Sequence, residues 1–126
     1  MISNTVKKLV SVIACMSVLF GYTLKSNAYS AVINSGSSFI MFERNCASGP
    51  HNYNCNVSYV KFDGLAVGNY YYGLKVRATK GITILNICSI NSMYKSGTYI
   101  VPSAGTYSYR LFNQSDRKVT IQFSFS

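Results

Sequence analysis

The clearest pattern in the chain is a strict alternation of apolar and polar residues at its C-terminal end. The apolar positions there are Val119, Ile121, Phe123 and Phe125, and every residue between them is polar. A period of two is typical of a β-strand that has one face in a core and the other in water. Tyr107, Tyr109 and Leu111 alternate in the same way, and the polar run 113–118 between the two segments has turn chemistry. The pattern predicts an antiparallel hairpin over residues 105–126.

Upstream, short apolar runs bounded by turn residues predict further strands. The run 38–43 is too short for a helix, the run 55–62 ends at the dipeptide Asp63-Gly64, and residues 69–79 alternate cleanly. Residues 82–90 follow a Lys-Gly turn and are rich in β-branched side chains. The alternation in this last run breaks between residues 84 and 85, which predicts a bulge there or burial on both faces.

No helical period occurs after residue 28, so the sequence predicts an all-β fold. About seven or eight short strands, with turn signals every eight to twelve residues, are typical of a small antiparallel β-sandwich of jelly-roll or immunoglobulin-like type. The segment 102–111, Pro-Ser-Ala-Gly-Thr-Tyr-Ser-Tyr-Arg-Leu, resembles a strand opening found in many bacterial extracellular β-sandwich accessory domains. That resemblance implies an architecture and carries no activity.

The first 28 residues have the three zones of a secretory signal peptide. Lys7-Lys8 is the basic start, residues 9–24 are mostly apolar, and small residues stand at the positions that a signal peptidase reads, up to Ala28. We expect a signal-peptide helix at 1–28 that is cleaved after Ala28, a single domain at 29–126 and a secreted, extracellular location. Two alternatives stay open, namely a retained membrane anchor, for which the apolar run is short of ~20 residues, and lipidation at Cys15.

Charge is the compositional feature that bears most on function. Nine Lys and Arg residues and three Asp and Glu residues follow residue 28, a net charge of +6. Such a surplus on one small domain favours adsorption to anionic polymers or anionic membrane surfaces. The alternative interpretation is that the charge only keeps the domain soluble.

Three cysteines follow the predicted leader, so at least one thiol stands outside any internal bridge. Cys46 and Cys55 enclose a run of turn-forming residues, and we expect this pair to form a disulfide. Cys88 lies in an apolar run that suits a buried thiol. A bridge from Cys88 to either other cysteine, or a disulfide between two chains, stays open. Zinc has suitable ligand types in these cysteines and His51, but the spacing of the first two does not suit a zinc site, and we expect no metal or cofactor.

The sequence contains few residues of the types that act in catalysis. Glu43 and Asp63 are candidates for the two carboxylates of a glycosidase, and Glu43, His51 and an arginine are candidates for a ribonuclease-like mechanism. Nothing in the sequence places either set together, and His51 is the one histidine. We therefore expect a protein that is not an enzyme, with no catalytic residues.

A binding surface is the better-supported expectation. Lys75 and Arg77 share the polar side of a predicted strand with Tyr71, and Arg110 projects from the predicted final hairpin. If these strands are neighbours, the four side chains form a basic and aromatic surface for an anionic polysaccharide, a cell-envelope polymer or an anionic membrane. No recognition motif supports binding of a specific nucleic acid. The alternative is an ordinary solvated face.

The leading hypothesis is thus a secreted, non-catalytic β-sandwich that binds an anionic or carbohydrate polymer at a cell surface or in an extracellular matrix. A secreted cationic antimicrobial protein or toxin is the alternative, and a small secreted hydrolase is the third possibility. The uncharged polar residues of the last strand also predict an open sheet edge through which chains self-associate.

Overall fold

The structure, a computed structural model, describes residues 28–67 and 73–126, and all its regular elements are strands. The eight strands are β1 (Ala28–Ile33), β2 (Ser38–Cys46), β3 (Gly49–Phe62), β4 (Leu74–Lys80), β5 (Thr83–Ser89), β6 (Tyr94–Val101), β7 (Gly105–Asn113) and β8 (Val119–Phe125). The all-β prediction is confirmed. Among the described residues no helix is long and apolar enough to cross a membrane. The predicted signal-peptide helix lies outside the described residues, which begin at Ala28.

The strands form two antiparallel sheets of four. Sheet I has the order β1-β8-β3-β6, and sheet II has the order β2-β7-β4-β5. Four of the pairings are nested in the sequence: β1 with β8, β2 with β7, β3 with β6 and β4 with β5. The pairs β3–β8 and β4–β7 complete the sheets. Of the eight described strands, only β4 and β5 are sequence neighbours that pair, through a turn at Gly81-Ile82, one residue beyond the predicted Lys80-Gly81.

The predicted hairpin over residues 105–126 is wrong. β7 lies in sheet II between β2 and β4, whereas β8 lies in sheet I between β1 and β3. Both strands bury one apolar face, and such faces can cover each other from opposite sheets as well as lie side by side in one sheet. Alternation identifies the buried face of a strand and says nothing of the strand beside it. Residues 114–118 therefore cross between the sheets.

The core lies between the two sheets and contains side chains from both. Val119 and Ile121 are 0 % exposed, and Phe123 and Phe125 are 3 % and 1 % exposed, as the alternation predicts. The ring of Phe125 lies 6.3 Å from that of Tyr109 in sheet II. Tyr29 in sheet I lies 5.8 Å from Phe39 in sheet II. Each such large apolar side chain contributes about 1.5–3 kcal/mol when it leaves water.

Strands β3 and β5 each contain a bulge, which allows apolar residues on both sides of it to face the core although their spacing is odd. In β3 the register shifts at Ser58, so Val57 and Val60 are both buried although they lie an odd number of residues apart. In β5 the shift lies at Ile87, between the partners of Val76 and Arg77. The prediction of a bulge or two-sided burial between residues 84 and 85 is wrong, because Ile84 projects outward and Leu85 inward in regular register.

The predicted Cys46–Cys55 bridge is not formed in the structure. Cys46, Cys55 and Cys88 are all free thiols, and the Sγ atom of Cys46 lies 3.1 Å from the hydroxyl of Tyr109. The residues expected to form a loop between the first two cysteines mostly belong to β3. Cys55 lies six residues into this extended strand, roughly 20 Å along it, whereas Cys46 ends β2 in the other sheet.

Candidate functional site

The outer surface of sheet II carries the cations that the sequence singled out. In β4 the side chains of Leu74, Val76 and Ala78 are buried, so Lys75, Arg77 and Thr79 project outward. β7 lies beside β4, with Arg110 directly opposite Arg77 and Phe112 opposite Lys75. We call this surface the basic face; it comprises Ser38, Ile40, Glu43, Lys75, Arg77, Thr79, Ile84, Asn86, Ser108, Arg110 and Phe112.

Arg77 is held in place by three neighbours on or beside the basic face. Its Nε donates a hydrogen bond of 2.8 Å to the amide oxygen of Asn86 on β5. Its guanidinium lies 5.3 Å from the centre of the Phe112 ring, a cation–π contact. With its amide oxygen turned toward the guanidinium, Gln114 accepts hydrogen bonds of 3.1 and 3.3 Å. The charge at this position is therefore fixed in space.

Arg110 is in a less favourable environment. It faces the like charge of Arg77 across the β4–β7 pair, and like charges directly opposite each other destabilise a sheet. Its Nε is buried and has no hydrogen-bond partner among the described residues. A buried donor without a partner also carries a free-energy cost. The repulsion would fall if an anionic group were bound over the two arginines, because charge-assisted hydrogen bonds to their exposed nitrogens are strong.

Three of the four predicted binding residues, Lys75, Arg77 and Arg110, thus lie together on one face. Tyr71 lies outside the described residues. The prediction missed Phe112. Because Phe112 lies two residues after Arg110 in the same strand, its outward position could have been inferred from the sequence. The prediction also missed Ile40, because a bulge at Met41 shifts the phase of β2 in a way that the residue types do not show.

The candidate catalytic groups lie on different sheets. Glu43 is exposed on the basic face opposite Ser108. Asp63 follows β3 in sheet I, and its carboxylate lies 3.8 Å from the ammonium of Lys118. His51 belongs to β3, where its Nε2 lies 2.7 Å from the carbonyl oxygen of Ala47 and its ring stacks on Tyr99. In the described part of the chain, no three His, Cys, Asp or Glu residues are placed to hold a metal ion together.

The buried thiols are poor nucleophiles at neutral pH. Burial, with a smaller contribution from Cys88, raises the pKa of Cys55 to about 12. Burial also raises the pKa of Cys88, against smaller lowering effects of Tyr53 and Lys95. A thiol reacts as its thiolate, so both side chains stay in the unreactive form.

The outer surface of sheet I has a different chemistry. We call it the polar face; it comprises Ala28, Ser30, Val32, Pro50, Asn52, Asn54, Asn56, Ser58, Tyr59, Lys61, Tyr94, Ser96, Thr98, Ile100, Thr120, Gln122 and Ser124. The single charged member is Lys61, whose ammonium donates hydrogen bonds to the backbone carbonyls of Leu65 and Phe62 at 2.8 and 3.3 Å. The two outer surfaces of the protein therefore differ in composition: three cations and one carboxylate lie on the basic face, and one engaged ammonium lies on the polar face.

The final strand is not an open edge. β8 is hydrogen-bonded to β1 on one side and to β3 on the other, so its uncharged row lies in the middle of the polar face. The prediction that this strand offers an edge for self-association is wrong, because alternation gave its faces but not its neighbours. The edges of the two sheets are β1, β6, β2 and β5.

Comparison with known proteins gives no functional argument. The chain matches no protein-family model and no curated protein sequence. Among solved structures it matches one titled "Crystal Structure of FLHE", with a TM-score of 0.39 and 12% sequence identity, over 79% of this chain and 89% of that one. A match at this level says nothing about what the present chain binds.

Proposed function

We propose that the protein is a secreted, non-catalytic β-sandwich that binds an anionic polymer of a cell surface or extracellular matrix through the basic face. The observation that carries the proposal is the pair of arginines, Arg77 and Arg110, placed directly opposite each other in neighbouring strands. Lys75 adds a third cation in the next row. A bound carboxylate, sulfate or phosphate supplies the negative charge that the facing arginines lack.

The strand order supports a jelly-roll sandwich over an immunoglobulin-like one. Nested pairing of the first strand with the last, the second with the seventh and the third with the sixth results when one long ribbon folds over on itself into two sheets, as in a jelly roll. In an immunoglobulin-type sandwich the first two strands share a sheet. Here β1 and β2 lie in different sheets.

The composition of the basic face suits a sugar polymer as well as an anion. Glu43 is its single carboxylate, so the three cations dominate the potential there. Phe112 presents part of its ring beside Lys75, and an aromatic ring packs well against the apolar face of a sugar. An acidic polysaccharide therefore matches the basic face better than a bare polyphosphate does, because a polyphosphate has no apolar face.

Retention on immobilised heparin and on dextran sulfate, measured as the salt concentration rises, tests the proposal. We expect the purified protein to bind at an ionic strength of about 0.01 M, where the Debye length is about 30 Å, and to elute well below 1 M, where it is about 3 Å. Absence of retention on both matrices at the lowest salt would overturn the proposal.

Paired variants separate a site from a general effect of charge. Lys75→Gln with Arg110→Gln removes two charges from the basic face, and Lys95→Gln with Lys118→Gln removes two from elsewhere. At about 1 kcal/mol per cation close to an anionic surface, we expect the first pair to weaken binding roughly 30-fold. The control pair should change it by less than about threefold at moderate salt, because more distant exposed charges are screened. Equal losses in the two proteins would mean that net charge alone drives adsorption.

A second candidate function, that of a cationic antimicrobial protein or toxin, is favoured by one observation. Ile40 and Ile84 border the basic face and are 55 % and 59 % exposed, which combines apolar and cationic groups on one surface. Such a surface also suits an anionic bilayer. Release of a trapped dye from anionic vesicles but not from zwitterionic ones would favour this function. Heparin binding without dye release would favour the polymer.

A further inference from the structure

The polar face is an extended surface with almost no charge, on a protein whose net charge is strongly positive. Its side chains are mainly amides and hydroxyls from β3, β6 and β8. Its one ammonium, that of Lys61, is turned onto backbone carbonyls at the end of the face. A ligand that matches this surface is itself uncharged and rich in groups that both donate and accept hydrogen bonds.

Two shallow depressions follow one another along β3 on this face. One, of about 350 Å³, is bounded by Asn52, Asn54, Ser96 and Thr98. The other, of about 260 Å³, lies between β3, β8 and β1 and is bounded by Ala28, Tyr29, Ser30, Asn56, Ser58, Gln122, Phe123 and Ser124. Outward residues of a strand are spaced by roughly 7 Å, so the two depressions form one track of roughly 20 Å from residue 52 to residue 58. This shape suits an extended chain lying along the strand.

The amides of the track are oriented by their neighbours. The hydroxyl of Thr98 donates to the amide oxygen of Asn52 at 3.1 Å, and the hydroxyl of Tyr94 donates to that of Asn54, also at 3.1 Å. Each amide oxygen is thereby engaged, and each amide nitrogen is left to donate outward. Fixed donors bind a ligand with a smaller loss of side-chain entropy than mobile ones do.

Aromatic rings complete the surface. Tyr94 lies opposite Asn56, beside both depressions, and is 57 % exposed. Tyr59 lies opposite Gln122 and is half-buried. A ring that is exposed beside oriented amides can pack on the apolar face of a sugar while the amides bind its hydroxyls.

We propose that the polar face is a second binding site, for an uncharged polysaccharide chain that lies along β3. This site is separate from the basic face and does not depend on the function proposed for it. Because the two faces are the outer surfaces of opposite sheets, one molecule could hold an anionic polymer on one side and an uncharged polysaccharide on the other. The protein would then cross-link two components of an extracellular matrix.

Sedimentation with insoluble cellulose, chitin and curdlan at an ionic strength of about 1 M tests this proposal, because electrostatic binding is screened at that salt concentration. We expect the protein to sediment with at least one of the three and to be released by soluble oligosaccharides of the same polymer. If the protein stays in solution with all three, the proposal is overturned.

Substitutions on the polar face test whether the polysaccharide binds there. Asn54→Ala with Tyr94→Ala should weaken sedimentation at least tenfold and leave both heparin binding and the thermal midpoint unchanged, because both residues are exposed. The Lys75→Gln, Arg110→Gln protein should show the converse, with normal sedimentation and weak heparin binding. Sedimentation that the Asn54 and Tyr94 substitutions leave intact would overturn the assignment. So would light scattering that shows a dimer which these substitutions convert to a monomer, since the face would then be covered by a second copy.

Discussion

At the scale of single residues, the basic face contains a conflict between stability and binding. Arg77 and Arg110 repel each other across two hydrogen-bonded strands, and the Nε of Arg110 has no partner in the described part of the chain. The guanidinium of Arg77 is stabilised by its hydrogen bond to Asn86 and by the ring of Phe112. An unfavourable contact that no neighbouring group offsets is expected at functional sites, because such residues are kept for binding or activity at a cost in stability.

Arg110→Gln should therefore make the protein slightly more stable while it weakens polyanion binding. We expect the free energy of unfolding to rise by about 0.5 kcal/mol at low salt, since unfavourable cross-strand pairs cost roughly 0.2–1 kcal/mol. Urea unfolding at low salt and at about 1 M salt measures this, and the gain should shrink at high salt as screening removes the repulsion. A loss of stability greater than about 1 kcal/mol would show that Arg110 is held by favourable contacts.

The buried thiol of Cys55 predicts a loss of stability in alkali. Its pKa is raised from 9.0 to about 12 in the folded protein, so between these values the unfolded chain releases the proton first. The stabilising contribution is complete below pH 9.0 and is lost as the pH rises toward 12. Unfolding free energies measured at neutral pH and at about pH 10.5 should differ, and Cys55→Val should reduce the difference. An equal decline in both proteins would assign the effect to other groups.

At the scale of elements, the sequence predicts strands and their buried faces well but predicts their partners poorly. The inward residues of β4, β7 and β8 follow directly from alternation. The placement of β7 and β8 in different sheets does not, because it depends on contacts between residues far apart in the sequence. Pairing within β4–β5 was predictable, since a two-residue turn leaves no other partner within reach.

The same distinction explains what was predicted of the candidate site. Lys75 and Arg77 share a face because they lie two residues apart in one strand, which the sequence shows directly. Their proximity to Arg110 requires β4 and β7 to be neighbours in one sheet. The sequence alone does not show which strands are neighbours. The track on the polar face was missed because its amides come from β3, whose first half was taken for a disulfide-closed loop.

Asn113 shows how one residue fixes a crossing between the sheets. Its buried amide nitrogen donates to the carbonyls of Ile33 and Arg117 at 2.9 and 2.7 Å. Its amide oxygen accepts from the backbone nitrogen and the hydroxyl of Ser115 at 3.0 and 2.6 Å. The side chain thereby joins the end of β1, the end of β7 and the segment that leads to β8.

Asn113→Ala should cost about 2–3 kcal/mol of unfolding free energy, because the buried backbone N–H of Ser115 loses its acceptor and the carbonyl of Ile33 loses a side-chain donor. Asn45→Ala, at an exposed position of β2, is the matched control and should change stability by less than about 0.5 kcal/mol. Thermal and urea unfolding of the two variants measure the difference. Similar small losses in both would mean that the crossing is held by the backbone alone.

For the molecule as a whole, the two outer surfaces differ in their number of cations. The basic face carries Lys75, Arg77 and Arg110, whereas the polar face carries a single ammonium that is engaged with the backbone. A net charge spread evenly would only favour solubility and weak adsorption. Three cations grouped on two neighbouring strands would orient the molecule toward an anionic polymer and would leave the other sheet free for a second ligand.

Whether a polyanion binds one face of the molecule can be measured from backbone amide chemical shifts during a titration with a short heparin oligosaccharide at low salt. We predict that the largest changes occur at the basic face, in β4 and β7 around Lys75, Arg77 and Arg110, while the amides of Asn52, Asn54 and Asn56 in β3 barely move. Changes spread evenly over both sheets, or concentrated on β3 and β8, would contradict the account.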